Sequence, residues 1–329
     1  MNRGLIYLQS DFWSKLSSDN SLEGIRACLN VYDALCCSNI YTDIDVDQLK
    51  SDRFLLQISK NVFGGKGGDV KFFQPGQLPI EPIDQTTEQL CAIHFHECDN
   101  IMADGIGIKY GTLVINSFMA LRQSKLFKGD GFVLNRHEKY EKKYSQFAPI
   151  ISIPSNSMII IDPYILSDPL NIDNSLIPWI DSALPKQKQS IKYNLSIVSI
   201  VKKEEKQLYH DDLKKLYNRI EKKILEIRPM LDLELEILTI GHGEDFHGRF
   251  IITNNILIYL IDGLDLFDNN GTSKKNATFN MVIPHLYGNS RTDLSTYYRW
   301  ISIAKHRIKN KSDATYCGNV ANRLFDIVD

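Results

Sequence analysis

The clearest rhythm in this chain lies in its second half. Met158–Ile161 is a continuous apolar run closed by Asp162-Pro163-Tyr164, the pattern of a strand buried on both faces that ends at a turn. Leu176–Leu184 predicts a short helix, and Leu195–Val201, rich in β-branched residues, a second strand. Asp211 predicts the N-cap of a helix that carries Leu213, Leu216, Ile220, Ile224 and Ile227 and stops at Pro229. Leu233–Ile240 alternates as a third strand, and Arg249–Thr253 and Ile256–Ile261 follow as two apolar runs. Ala277–Ile283 predicts another strand and Leu294–Ile308 a final helix. Strands alternating with helices predict an α/β layered domain, its sheet mostly parallel with flanking helices.

The first half is less regular. Gly4–Gln9 predicts a short strand, and Ser21–Cys37 a helix with Ile25, Leu29, Tyr32, Leu35 and Cys36 on one stripe. Thr112–Phe127 has the composition of a helix, and the charged run Arg136–Lys143 that of a helix-prone linker. A boundary within 145–155 divides the chain into a mixed α/β domain over 1–150, of sensing or docking type, and a second domain over 151–329. The glycine-rich FGGKGGDV stretch lacks the G-x-x-x-x-G-K-[ST] form, with Asp69 where a phosphate loop needs Ser or Thr, which excludes a nucleotide loop there.

A length of 329 residues suits two domains with full cores, so no disulfide or metal staple is needed. The six cysteines, at 28, 36, 37, 91, 98 and 317, have no framework spacing, as expected of a reduced intracellular protein. MNRGLIYLQSDFW lacks the apolar core of a secretion signal, and no apolar run approaches the ~18 residues of a membrane span. A soluble, cytoplasmic protein with no transmembrane segment is the expectation. The net charge of −2 hides an asymmetry. Residues 186–228 hold 12 basic and 6 acidic side chains, and residues 272–311 hold 8 and 1. An anionic partner facing the second half is one reading, and solvated helix faces are the other.

The chemistry concentrates in HGEDFHGRFIITNNILIYLIDGLDLF, residues 242–267. His247 and Arg249 stand at i and i+2 of a strand-like run and project together. A guanidinium beside an imidazole suits a phosphate: the first clamps it, and the second attacks phosphorus or moves a proton. The spacing of His247, Arg249 and Asn254 resembles the HxKxxxxD motif of the phospholipase D superfamily. It is closer to the degenerate version in the carboxy-terminal domain of MIT-domain proteins, where His-x-Arg and Asn-Asn precede a Gly-Leu-Asp stretch. Here these are Asn254-Asn255 and Gly263-Leu264-Asp265-Leu266-Phe267. Bacterial conflict-system proteins that pair an Asp-Pro-Tyr strand end with a later His-x-Arg-Phe-Ile-Ile-Thr are similar too.

The resemblance implies a phospholipase-D-like domain over 151–329, needing no metal and no cofactor. His247, Arg249 and Asn254 would be its catalytic set, and Asn255, Asp265, Lys274, Lys275 and Arg291 its substrate-binding set. It implies a nuclease-type effector of a bacterial antiviral defence system, acting on DNA or RNA, with a partner protein from the same operon. Active members carry two His motifs and this chain carries one, so a homodimer would supply His247 twice, or the site would bind without cutting. The alternative is an inactive module for nucleic acid, anionic lipid or a partner protein.

Three weaker patterns complete the reading. Cys91, His94, His96 and Cys98 have zinc-ligand chemistry in eight residues, but structural sites draw on two separated pairs, and buried core residues are the simpler expectation. Asp11, Asp43, Asp45, Asp99 and Asp104 offer carboxylates for a divalent metal in a chain with 40 acidic residues. Tyr193, Tyr209, Tyr217, Tyr287, Tyr297, Tyr298 and Trp300 lie among basic residues and suit base stacking, except Tyr217, which falls on the apolar helix stripe.

Overall fold

The computed structural model describes residues 5–36, 38–63, 68–81, 92–117, 121, 130–147, 153–201, 210–241, 248–260, 263–282, 291–309, 316–318 and 322–327. The chain is α/β with two sheets.

The first sheet is built from β1 (Leu5–Leu8), α1 (Ser10–Ser18), α2 (Leu22–Cys36), β2 (Asn39–Thr42), α3 (Val46–Ser51), α4 (Arg53–Phe63), β3 (Val70–Phe72), β4 (Ala92–Phe95), α5 (Asn100–Tyr110) and β5 (Leu113–Ile115). Its five strands are all parallel, in the order β3-β2-β1-β4-β5. Thr112–Phe127 therefore opens as a strand, because Val114 and Ile115 are β-branched and the segment pairs with β4. One face buries Ile6, Leu8, Ile40, Ile93 and Phe95 against Phe12, Leu16, Val31 and Leu35 of α1 and α2. In such an order ligands enter at the carboxyl edge beside β1, where the strand order reverses. Here Gln9 bridges that edge, donating its N–H to the Phe95 carbonyl and accepting the Glu97 N–H at its Oε1 (2.7 Å).

The second sheet uses β6 (Asp130–Leu134), β7 (Ser157–Ile161), β8 (Tyr193–Val201), β9 (Leu233–Gly241), β10 (Phe250–Thr253), β11 (Leu257–Leu260), β12 (Ala277–Val282) and β13 (Tyr316–Gly318), ordered β13-β9-β8-β7-β10-β11-β12-β6. The helices α6 (Ile177–Ala183) and α7 (His210–Ile227) pack on one face, and α8 (Arg291–Lys309) on the other. The sheet is mixed rather than mostly parallel, since only the β7–β8 and β8–β9 pairs are parallel and the other five are antiparallel. The cause is connection length. Parallel strands need a crossover of a dozen or more residues, whereas β10 and β11 are joined by a tight turn at Asn254-Asn255. The edge strand β6 lies ahead of the 145–155 stretch in which the sequence suggests a boundary. Arg136–Lys143 is likewise no free helical linker. It folds back on the 268–273 turn through Tyr140 N–H to the Gly271 carbonyl and Ser273 N–H to the Glu138 carbonyl.

The two sheets meet at the carboxyl end of α5. A helix leaves its last carbonyls without intrahelical donors. Here residues of the second unit cap them: Ser190 N–H donates to Lys109 O (2.8 Å), Asn156 Nδ2 to Tyr110 O (3.0 Å) and Asn254 Nδ2 to Gly111 O (3.0 Å). Gly111 has φ +67°, and a Cβ there would lie 2.5 Å from the Ser155 carbonyl carbon, so glycine alone fits.

The opposite face of the first sheet buries His94, stacked on the Tyr7 ring at 4.1 Å, with neither imidazole nitrogen hydrogen-bonded among the described residues. Burial, with a smaller push from His96, lowers its pKa to about 3. A base depressed in this way stabilises the fold fully above its unfolded value near 6.5, and the contribution is lost as pH falls toward 3. We expect His94→Phe, which keeps the stack, to flatten the loss of stability between pH 6.5 and 5 by up to about 1.4 kcal/mol per pH unit. Urea midpoints of the two proteins across that range check this; parallel curves would remove His94 as the cause.

Candidate functional site

Strands β7, β8 and β9 point their carboxyl ends to one edge, and antiparallel β10 begins there. Asp162 closes β7. It is buried, accepting the Tyr164 N–H at Oδ1 (2.8 Å) and the Leu264 N–H at Oδ2 (2.9 Å). One carboxylate thus shapes both the turn after β7 and the Gly263-Leu264 turn. Gly263 adopts φ +90°, and a Cβ on it would sit 3.2 Å from Arg249 Nε and 3.3 Å from Asp162 Oδ2. The missing side chain is the space in which Arg249 lies.

Arg249 is half-buried. Its Cζ stands 5.8 Å from the centre of the Tyr164 ring, a cation–π distance, and its carbonyl accepts the Leu260 N–H (3.0 Å). Behind it the backbone runs tight against aromatics. A Cβ on Gly248 would overlap the rings of Phe250 and Trp300. Phe250 packs on Trp300 at 4.4 Å and stacks on Tyr259 at 5.0 Å. A permanently charged fork at the carboxyl edge of parallel strands is suited to an oxyanion. His247, two residues earlier, lies outside the described residues.

The other expected site residues are placed elsewhere. Asn254 is fully buried at the far end of β10, about 17 Å from Arg249 at ~3.4 Å per residue. Its Oδ1 accepts the Asn156 N–H (2.9 Å) and its Nδ2 donates to Gly111, so its amide belongs to the clasp. Asn255 donates to the Pro154 carbonyl (2.6 Å) in the same clasp. Asp265 and Lys274 form an ion pair (2.7 Å), with Ser175 donating to Asp265. Lys275 is half-buried, its carbonyl accepting the Ser273 hydroxyl. Arg291 opens α8, and its side chain is outside the described residues.

Six of the basic residues described within 186–228 are held in ion pairs. Arg219 and Lys223 both pair with Asp173, Arg228 with Asp181, Lys192 with Glu234, and Lys215 and Lys222 with neighbours on their own helix. Tyr193, Tyr297 and Tyr298 are buried in the core, Tyr217 and Trp300 are half-buried, and Tyr209 and Tyr287 lie outside the described residues. The aspartates of the first half act as caps and ties. Asp45 and Asp99 cap α3 and α5, and Asp43 accepts the Ser10 and Gly76 N–H groups. No group of potential metal ligands forms among the described residues, and Cys91 lies outside them. The sequence signal for Asp162, Tyr164 and Gly263 was present, as Asp-Pro-Tyr closing an apolar strand and a glycine before Leu264. What it lacked was the fold that brings the two turns together.

No protein-family model matches this chain, and no curated protein does. Among solved structures, an archaeal chromatin protein, TrmBL2, described as showing a novel mode of DNA binding, aligns over 52% of this chain and 51% of its own at 13% identity, with a TM-score of 0.24. Drosophila Piwi aligns over 98% of this chain and 46% of its own at 11% identity, with a TM-score of 0.17. The chain spans about half the length of each, and likeness at this level carries no argument about fold or ligand. No helix among the described residues is long and apolar enough to cross a membrane.

The glycine geometry gives a direct test. Gly248→Ala should cost about 1–3 kcal/mol, because the new methyl overpacks Phe250 and Trp300. Gly105→Ala, on α5 with nothing within 4 Å, should be neutral or stabilising by up to about 1 kcal/mol. Urea midpoints read both; equal midpoints would show that the chain at 248 has room to move.

Proposed function

We propose that this chain is a phospholipase-D-like protein that binds a phosphodiester at the Arg249 edge of its second sheet. One observation carries the reading: Arg249, half-buried, is framed by Tyr164 and the side-chain-free face of Gly263 where three parallel strands end. Such an edge is where α/β sheets take ligands, and a guanidinium there supplies charge and a forked donor geometry. Six of the cations described in 186–228 are held in ion pairs, and Arg249 supplies a local clamp beside them.

The catalytic extension uses His247 from two chains of a homodimer. One imidazole nitrogen attacks phosphorus, forming a P–N bond as the P–O bond to the leaving group breaks. The second imidazolium gives that oxygen its proton, and water then hydrolyses the phosphohistidine. Arg249 would bear the charge that builds on the phosphoryl oxygens. The substrate is nucleic acid, and the setting, by resemblance, is antiviral defence with an operon partner. No metal enters the step. Incubation of wild-type and His247→Ala protein with plasmid DNA and single-stranded RNA in EDTA tests this. Cutting by wild type alone is expected. Equal cutting by both removes His247 from the mechanism, and no cutting by either reduces the function to binding.

A further inference from the structure

Of the aromatic side chains among the described residues, only Phe72, Tyr164 and Tyr259 are exposed, at 42%, 39% and 44%. Two of these three border Arg249. Tyr164 lies beneath the guanidinium, and its N–H is fixed by Asp162. Tyr259 stands on β11 opposite Phe250, one pair along from Leu260, whose N–H binds the Arg249 carbonyl. Alternation along β10 puts Arg249 and Phe250 on opposite faces of the sheet, so the two rings flank the edge from its two sides. The Tyr259 ring is backed by other rings, and the backbone that carries Tyr164 is held by Asp162. Tyr259 rests on Phe250, which rests on Trp300, and Gly248 has no room to let that stack shift.

An exposed ring that is held from behind has already lost its rotational freedom, so stacking a flat ligand on it costs little further entropy. From this arrangement we infer that the Arg249 edge takes single-stranded nucleic acid, its phosphate on Arg249 and its bases stacked on Tyr164 and Tyr259. The inference rests on the phosphodiester reading above and narrows it. A lipid headgroup offers a phosphate but no π-face. A duplex offers phosphates but keeps its bases stacked on each other. Only a single strand satisfies the guanidinium and both rings at once.

The test is fluorescence anisotropy with three probes: a short oligothymidylate, the same sequence as duplex, and vesicles containing a phosphoinositide. Wild type should prefer the oligothymidylate. Tyr164→Ala and Tyr259→Ala should each weaken its binding roughly 5- to 150-fold, the range measured for loss of one stacked base. The Phe variants at both positions should restore it, since a phenyl ring stacks as a phenol does. Undiminished binding by both Ala variants, with loss in Arg249→Ala, overturns the stacking inference and leaves the phosphodiester reading standing. Tighter binding to duplex or vesicles than to the single strand overturns the choice of partner. No wild-type binding to any probe overturns both.

Discussion

The buried carboxyl end of α5 is the constraint on which the arrangement of this molecule depends. Three helix carbonyls lose water where the two sheets meet, and each unpaired one would cost on the order of 1–3 kcal/mol. Donors from the second unit satisfy them, and the positions of Ser190, Asn156 and Asn254 follow. Asn254 also accepts the Asn156 N–H, so a single amide ties α5, the start of β7 and the end of β10 together. Strand β10 is thereby pinned at one end and presents Arg249 at the other. The site is stiff because its strand is anchored away from the ligand, in the sense that supporting residues fix a functional group's geometry.

The same logic separates the roles of the charges. Cations of α7 are tied to Asp173 and Asp181, which hold the helix to its neighbours. These pairs are partly exposed, and exposed pairs contribute little to stability. Their effect is to remove charge from the long-range field. Arg249 lies on an aromatic face and beside a glycine with no side chain.

Much of the second half was legible because its strands announce themselves as apolar runs and its helices as periodic stripes. The Ser157–Ile161 strand and the His210–Ile227 helix are clear cases, although the helix starts one residue ahead of the expected cap Asp211. The sheet's mixed direction was not legible, since periodicity carries no information about which way a strand runs. Asn254 shows the same limit at the level of the site. Its spacing from Arg249 suggested a shared ligand, but a strand of intervening residues holds the two ends apart. The aromatics show the converse. Tyr193 and Tyr297 lie among basic residues in sequence yet are buried, because neighbours along a strand or helix point to opposite sides. Tyr259 carries no local signal, and only the pairing of β10 with β7 and β11 brings it and Tyr164 to Arg249.

The most direct measurement of this account compares Arg249→Ala with Asn254→Ala by two readouts, urea unfolding and binding of a short oligothymidylate. The account expects a crossed result. Arg249→Ala should lose binding in a protein that still folds, because the half-exposed guanidinium serves the ligand. Asn254→Ala should lose on the order of 1–3 kcal/mol or more of stability, leaving buried Gly111 and Asn156 groups unpaired, and should still bind under conditions where it is folded. The opposite outcome, with Asn254→Ala stable but unable to bind and Arg249→Ala binding as wild type, would contradict it and return the site to the far end of β10.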